Sequence, residues 1–212
     1  MKPAKPTAPN GDFPEAGDAT SAATIKEIAS HVEAIINLLG EDCTREGLVK
    51  TPMRAARALH FLTRGYRQNI DEVINGAVFA TESNGMVSVD DIEFYSMCEH
   101  HILPFFGTIS IGYMPSGHVL GISKLGRIVD YHARRLQLQE RLTRSVAQEV
   151  AREAGTTDVI VMCRAAHMCM RMRGVQKERS ETVTVETLGR FATDPSLRMQ
   201  FFATARGANL LG

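Results

Sequence analysis

From Ala22 onward the apolar residues keep helical time. Ile25, Ile28, Val32, Ile35, Ile36 and Leu39 fall on one stripe, and Gly40 supplies a stop. Thr51-Pro52 reads as an N-cap followed by proline at the first helical position, predicting a second helix through Ala56, Leu59 and Leu62 to Gly65. The two helices are expected to pair as a hairpin. Residues 86–96 and 106–114 mix β-branched and aromatic residues in partial alternation and read as strands. A helix is expected over 123–134 with Leu125, Ile128 and Val129 inward. Another is expected from Leu138, carrying Leu142, Val146 and Val150 and ending at Gly155. Residues 158–173 read as one long strand, 181–187 as a second, and 196–205 as a final helix. The order lacks a βαβ rhythm, so an α+β fold with antiparallel pairing is expected.

The stretch before this pattern differs. Pro3, Pro6, Pro9 and Pro14 are four of the eight prolines in the chain, and no apolar period runs among them. The expected organisation is a disordered tail over 1–21, a helical hairpin over 22–66 and a catalytic domain over 67–212. Charge adds an exclusion: 24 basic and 24 acidic residues cancel, which gives no global reason to expect nucleic acid or an anionic membrane as partner. The long uncharged run 102–117 is broken by Pro104, Gly107, Gly112 and Pro115, so no bilayer span is expected. Four cysteines are too few for a disulfide scaffold, and no secretory leader is visible, so the cytoplasm is the expected compartment. There, Cys beside His points to metal or catalysis.

Cys98 and His101 stand three residues apart in Cys98-Glu99-His100-His101, a spacing that lets one turn close on an ion. Two ligands do not make a zinc site, and a packed Cys and His share this spacing. The run 158–173 adds more. Read as a strand, it places Val159, Val161, Cys163, Ala165, His167, Cys169, Arg171 and Arg173 on one face and a methionine-rich apolar set on the other. Cys169 is then a candidate third ligand. Three protein ligands leave a position for water, the arrangement of catalytic zinc, which brings the pKa of water to roughly 7. His100 and His167 are left over as proton carriers. Ser123, Lys124 and Arg127 at a helix start form a candidate anion site, with Ser123 as N-cap, although an ordinary solvated helix start has the same composition. Arg54 and Arg173 carry the same two readings. Glu140 can accept two parallel hydrogen bonds, as the N1–H and amino edge of guanine requires, or be a surface glutamate.

Taken together, 96–130, 137–143, 167–175 and 45–59 resemble the GTP cyclohydrolase I family, and the similarity covers about residues 22 to 205. The combination of CEHH with HMCMRMRG is specific, and order and separation agree. The resemblance implies Cys98, His101 and Cys169 as zinc ligands, His100 and His167 as catalytic histidines, and Glu140 as the guanine reader. It implies Arg54, Ser123, Lys124, Arg127 and Arg173 as triphosphate contacts. The implied fold is the T-fold, an antiparallel sheet with helices on one side, preceded by the hairpin. The implied assembly is a homodecamer of two pentameric rings, with sites built from several subunits. The implied reaction is GTP plus water to 7,8-dihydroneopterin triphosphate plus formate, with Zn2+ as cofactor. Cys43, Gly126, Leu136 and Ala165 depart from common family residues outside the motifs. Two other readings compete. A nicotinamide-dependent reductase of the same broad fold requires a cysteine nucleophile rather than three ligands. A silent zinc-stabilised ring requires no proton carriers.

Overall fold

The computed structural model describes residues 19–205. Residues 1–18 of the expected tail lie outside the described residues, and helix α1 already begins at Ala19. Contacts divide the chain into two units, Met1–Phe61 and Leu62–Gly212.

In the first unit α1 (Ala19–Leu38) and α2 (Thr51–Leu62) share a small cluster of Ile25, Ala29 and Ala56, with Ile28 and Met53 against it. Gly40 takes φ 89°, the left-handed conformation that ends a helix cheaply only at glycine. Thr51 is not the cap that its place before proline predicts. It is the first helical residue, and its hydroxyl donates back to the Gly47 carbonyl. The second half of the α1 stripe is uncovered within the unit: Ile35, Leu38 and Leu39 are exposed.

The second unit is built on a five-stranded sheet of order β5-β2-β3-β6-β7. Its strands are β2 (Val87–Cys98), β3 (Leu103–Tyr113), β5 (Leu136–Gln137), β6 (Val159–His167) and β7 (Thr182–Leu188). Three of the four pairings are antiparallel. The short β5 runs parallel to β2 through Met97↔Leu136 and Cys98↔Gln137, so the sheet is mixed. A separate antiparallel pair joins β1 (Val78–Ala80) to β4 (His118–Leu120), and α3 (Ile70–Ile74) precedes it.

Alternation along the strands creates two packed faces. Ile109, Ile111, Tyr113, Val159, Val161 and Cys163 face α4 (Ile122–Ala133) and α5 (Gln139–Ala154), which bring Leu125, Ile128, Leu142 and Val146. The α5 stripe is the i, i+4 series read from sequence, and Gly155 closes the helix in the left-handed conformation. Between them, Ile160 and Met162 point the other way and pack on Phe191 and Phe201, from α7 (Arg190–Thr193) and α8 (Pro195–Thr204). Gly112 lies under the Phe201 ring: a Cβ there would stand 2.6 Å from it. Helices therefore lie against both faces, not one. The long strand expected over 158–173 also ends early, at His167, and residues 168–171 form a helical turn, α6.

Phe201 is fully buried while its neighbour Phe202 is 41% exposed. Phe201→Ala is expected to cost about 3–5 kcal/mol, the usual loss for a buried aromatic. Phe202→Ala is expected to cost much less. Urea denaturation of the two variants side by side checks this.

Candidate metal centre

The β2–β3 turn holds Cys98, Glu99, His100 and His101. Cys98, the last residue of β2, is buried, and its carbonyl accepts from the N–H groups of His101 and Ile102 at 3.3 and 2.8 Å. Glu99 N–H donates to Gln137 O on β5. Ile102 takes φ 53°, a conformation costly for a β-branched residue and tolerated here inside a bonded turn. Both imidazoles are exposed, and they meet edge to face with centroids 6.0 Å apart.

Cys169 arrives from the other side of β3. Phe105 pairs with His167 in the β3–β6 ladder, and α6 then carries Cys169 back toward the turn. The donor atoms of Cys98, His101 and Cys169 all lie within 4.8 Å of one another, and Cys98 Sγ is 3.8 Å from His101 Nδ1. Burial raises the Cys169 thiol above its ordinary value, and the Cys98 sulfur raises it further. Two thiolates this close repel, and a cation between them removes the penalty. A soft-donor set of two sulfurs and one imidazole suits zinc. Cys163 does not join it: burial inside the main core pushes its thiol up to about 12.

Arg173 touches the same group. Its Nη2 donates to His101 Nε2 at 2.8 Å and its Nε to the Cys169 carbonyl at 3.2 Å. His167 lies flat on Phe105, ring centroids 4.6 Å apart and planes 5° apart. Burial pushes the His167 imidazole below its ordinary value, and the Glu140 charge pulls it back up. That coupling puts Glu140, exposed in the first turn of α5, within electrostatic reach of His167.

The predicted anion residues are placed differently. Ser123 is not an N-cap: Gly121 holds that position and Ser123 is the second residue of α4. Lys124 is buried, Ser123 and Arg127 are exposed, and Arg127 donates to the Val73 carbonyl. Among the described residues, these three make no hydrogen bond or ion pair to the Cys98–His101–Cys169 group. Arg54 is exposed on α2, in the first unit.

Two residues at the head of α5 were missed by sequence reasoning. Gln139 is buried and bonds to His167 Nε2 at 2.8 Å. Arg141 forms a two-pronged bridge to Glu99, at 2.7 and 3.2 Å, whose hydrogen bonds hold the Glu99 carboxyl below its ordinary value. The available signal was the run Gln139-Glu140-Arg141 itself, three polar residues where a helix enters the core.

A sequence profile described as GTP cyclohydrolase I matches residues 28–206. A GTP cyclohydrolase 1 of Pseudomonas aeruginosa is 49% identical over 179 residues, covering 84% of this chain and 99% of the relative. One from Pseudoalteromonas translucida is 51% identical over 181 residues, covering 85% and 98%. One from Drosophila melanogaster is 48% identical over 182 residues, covering 86% of this chain and 56% of the relative. Among solved structures, the apo archaeosine synthase QueF-Like covers 51% of this chain and 97% of its own at 22% identity and a TM-score of 0.41, a likeness too weak to bear on fold or activity.

The metal assignment has a direct check. Zinc titration followed by metal analysis is expected to give one ion per chain in the parent protein. Cys98→Ala and Cys169→Ala are expected to lose it, and Cys43→Ala to keep it. Stoichiometric zinc in Cys169→Ala would remove that residue from the ligand set.

Proposed function

This chain belongs to the GTP cyclohydrolase I family, and from that premise we propose how its own residues carry out the conversion of GTP and water to 7,8-dihydroneopterin triphosphate and formate. The observation that carries the reading is the convergence of Cys98, His101 and Cys169 beside His167. Zn2+ is the cofactor, held by those three side chains, and when bound it supplies Lewis-acid activation of water near neutral pH.

The remaining work falls to the protein. Glu140 accepts from the N1–H and 2-amino groups of guanine, a charge-assisted pair of bonds that orients the purine. Arg54, Ser123, Lys124, Arg127 and Arg173 hold the triphosphate by charge and fix C8 for attack by water. Burial favours the neutral His167 ring, which takes up the proton lost by the attacking water and gives it to the imidazole-ring nitrogen of the purine as the C8–N bond breaks. His100 assists these transfers. A second hydrolysis releases C8 as formate. Ribose opening, an Amadori-type rearrangement and ring closure with loss of water then give the pterin, for a net consumption of one water.

The reading extends to organisation. The domains are a tail ahead of Ala19, a helical hairpin over 19–66 and a T-fold over 67–212. The assembly is a homo-oligomer, a decamer of two pentameric rings. Support comes from the exposed Ile35, Leu38 and Leu39 stripe, since contiguous apolar surface marks an interface. Neither a nucleic-acid nor a membrane partner belongs to this reading, in keeping with equal numbers of basic and acidic residues. The cytoplasm is the compartment.

Metal-loaded protein incubated with GTP is expected to release formate and, after oxidation, a fluorescent pterin in equal amounts. His167→Asn is expected to lower kcat by about 100- to 10,000-fold. Glu140→Ala is expected to weaken GTP binding by roughly 10- to 100-fold, the worth of a hydrogen bond to a charged group. Metal-loaded parent protein that leaves GTP intact would overturn the reading.

A further inference from the structure

We propose that Gln139 is a positioning residue that fixes the ring orientation and tautomer of His167, with hydrogen on Nε2 and the lone pair on Nδ1. The inference rests on the reading of His167 as a proton carrier, and names the nitrogen through which it acts.

Imidazole nitrogens and amide ends are interchangeable in outline, so the assignment has to come from partners whose chemistry is fixed. Gln139 is 2% exposed. One end of its amide faces the Cys163 carbonyl at 3.1 Å and the Thr182 carbonyl at 2.9 Å, with Thr184 Oγ1 at 3.2 Å. Carbonyl oxygens only accept, so this end must be the NH2 group. Turning the amide over would set its oxygen against two carbonyl oxygens in a buried site. The Oε1 end therefore faces His167 Nε2, at 2.8 Å, and an amide oxygen only accepts. His167 Nε2 must carry the hydrogen.

The surrounding hydroxyls agree. Thr143 Oγ1 lies 2.8 Å from the Gln139 carbonyl, which can only accept, so Thr143 spends its single proton there. The 2.6 Å contact between Thr143 and Thr184 then needs Thr184 as donor. Thr184 is left with lone pairs toward Gln139, which is what the amide NH2 requires. The donors and acceptors are consistent throughout: His167 donates to the Gln139 amide oxygen, the Gln139 NH2 donates to β6 and β7, and Thr184 donates to Thr143, which donates to the Gln139 backbone carbonyl. Ring rotation is opposed from the side by Phe105, parallel at 4.6 Å. A neutral imidazole with hydrogen on Nε2 presents its lone pair on Nδ1, so Nδ1 is the nitrogen that exchanges protons with substrate.

Gln139→Met keeps approximate length and removes both ends of the amide. Gln139→Glu keeps an acceptor for Nε2–H and loses the donors. Nitrogen-15 NMR of histidine-labelled, zinc-loaded parent protein, with the His167 signal identified by its loss in His167→Asn, is expected to show the Nε2–H tautomer. In Gln139→Met, kcat is expected to fall about 100-fold, the lower end of what a placed proton carrier contributes, with KM for GTP and zinc content changed by less than about threefold. Gln139→Glu is expected to recover part of that loss. An Nδ1–H tautomer in the parent protein overturns the proposal. So does an undiminished kcat in Gln139→Met, or equal losses in the two variants. If Gln139→Met does not fold, the parent spectrum decides alone. A near-normal kcat in His167→Asn would sink the catalytic reading instead, and the spectrum would still test the hold that Gln139 has on the ring.

Discussion

The β3–β6 ladder sets the address of every reactive group in the second unit. Phe105 lies opposite His167, and seven residues earlier in the chain Cys98 lies opposite Leu103 across the β2–β3 turn. These two registers bring the end of β2 and the end of β6 to the same edge of the sheet. A slip of one residue would turn His167 to the opposite face and send Cys169 away from Cys98, because side chains alternate with period two. The register is held where slippage is most costly: Gly107 opposes Ala165 so closely that a Cβ would meet the Arg164 carbonyl at 1.9 Å. The core side chains Ile109, Ile111, Val161 and Cys163 lock the same alignment by burial. Stability and site geometry share one constraint.

The head of α5 distributes that geometry. Gln139, Glu140 and Arg141 follow one another in the first helical turn, so their side chains leave the axis in different directions. Gln139 goes inward to His167, Arg141 goes to Glu99 between two of the turn residues, and Glu140 remains exposed. One helix start thus contacts both the Cys98–His101 turn, through Glu99, and His167 at the end of β6. The inward amide is acceptable in the core because all its polar atoms find partners, where an unsatisfied one would cost about 1–3 kcal/mol.

Sequence carried the elements of this arrangement further than their ends. The α5 stripe and its Gly155 stop, the β2–β3 pair and the Cys98/His101 spacing were legible because each rests on short-range periodicity. The end of β6 was not. Residues 158–173 alternate plausibly throughout, yet β7 pairs only to Ala165↔Thr182 and β3 only to Phe105↔His167. The next residue of β3 is Pro104, which has no N–H to offer a ladder, and beyond His167 backbone groups form local bonds, as Met172 N–H does on Met168 O. Met168, Met170 and Met172 consequently lie in and after a turn, with Met172 exposed, while Met162 keeps its place in the core. Gln139 escaped for a related reason: its role depends on carbonyls of β6 and β7, which no local pattern announces. Ser123 looked like a cap by type, but the helix begins two residues sooner than that reading needs, at Ile122 after Gly121.

His101 stands between two demands. Its Nε2 accepts from Arg173, which cannot do otherwise than donate, so the neutral ring carries hydrogen on Nδ1, the nitrogen nearest Cys98 Sγ. Were His101 to hold a cation through Nδ1, the neutral ring would bear its hydrogen on Nε2, where it would face the guanidinium as one donor against another. The Arg173–His101 bond and Nδ1 ligation of a neutral His101 are therefore mutually exclusive. Arg173 keeps a second anchor on the Cys169 carbonyl, through Nε, which leaves its terminal nitrogens able to turn to another acceptor without leaving the site. An anionic oxygen is a stronger acceptor for a guanidinium than an imidazole lone pair. The same arginine thus places positive charge beside the two thiols and the imidazole, and which lone pair the histidine has free decides whether its terminal nitrogens stay on the ring.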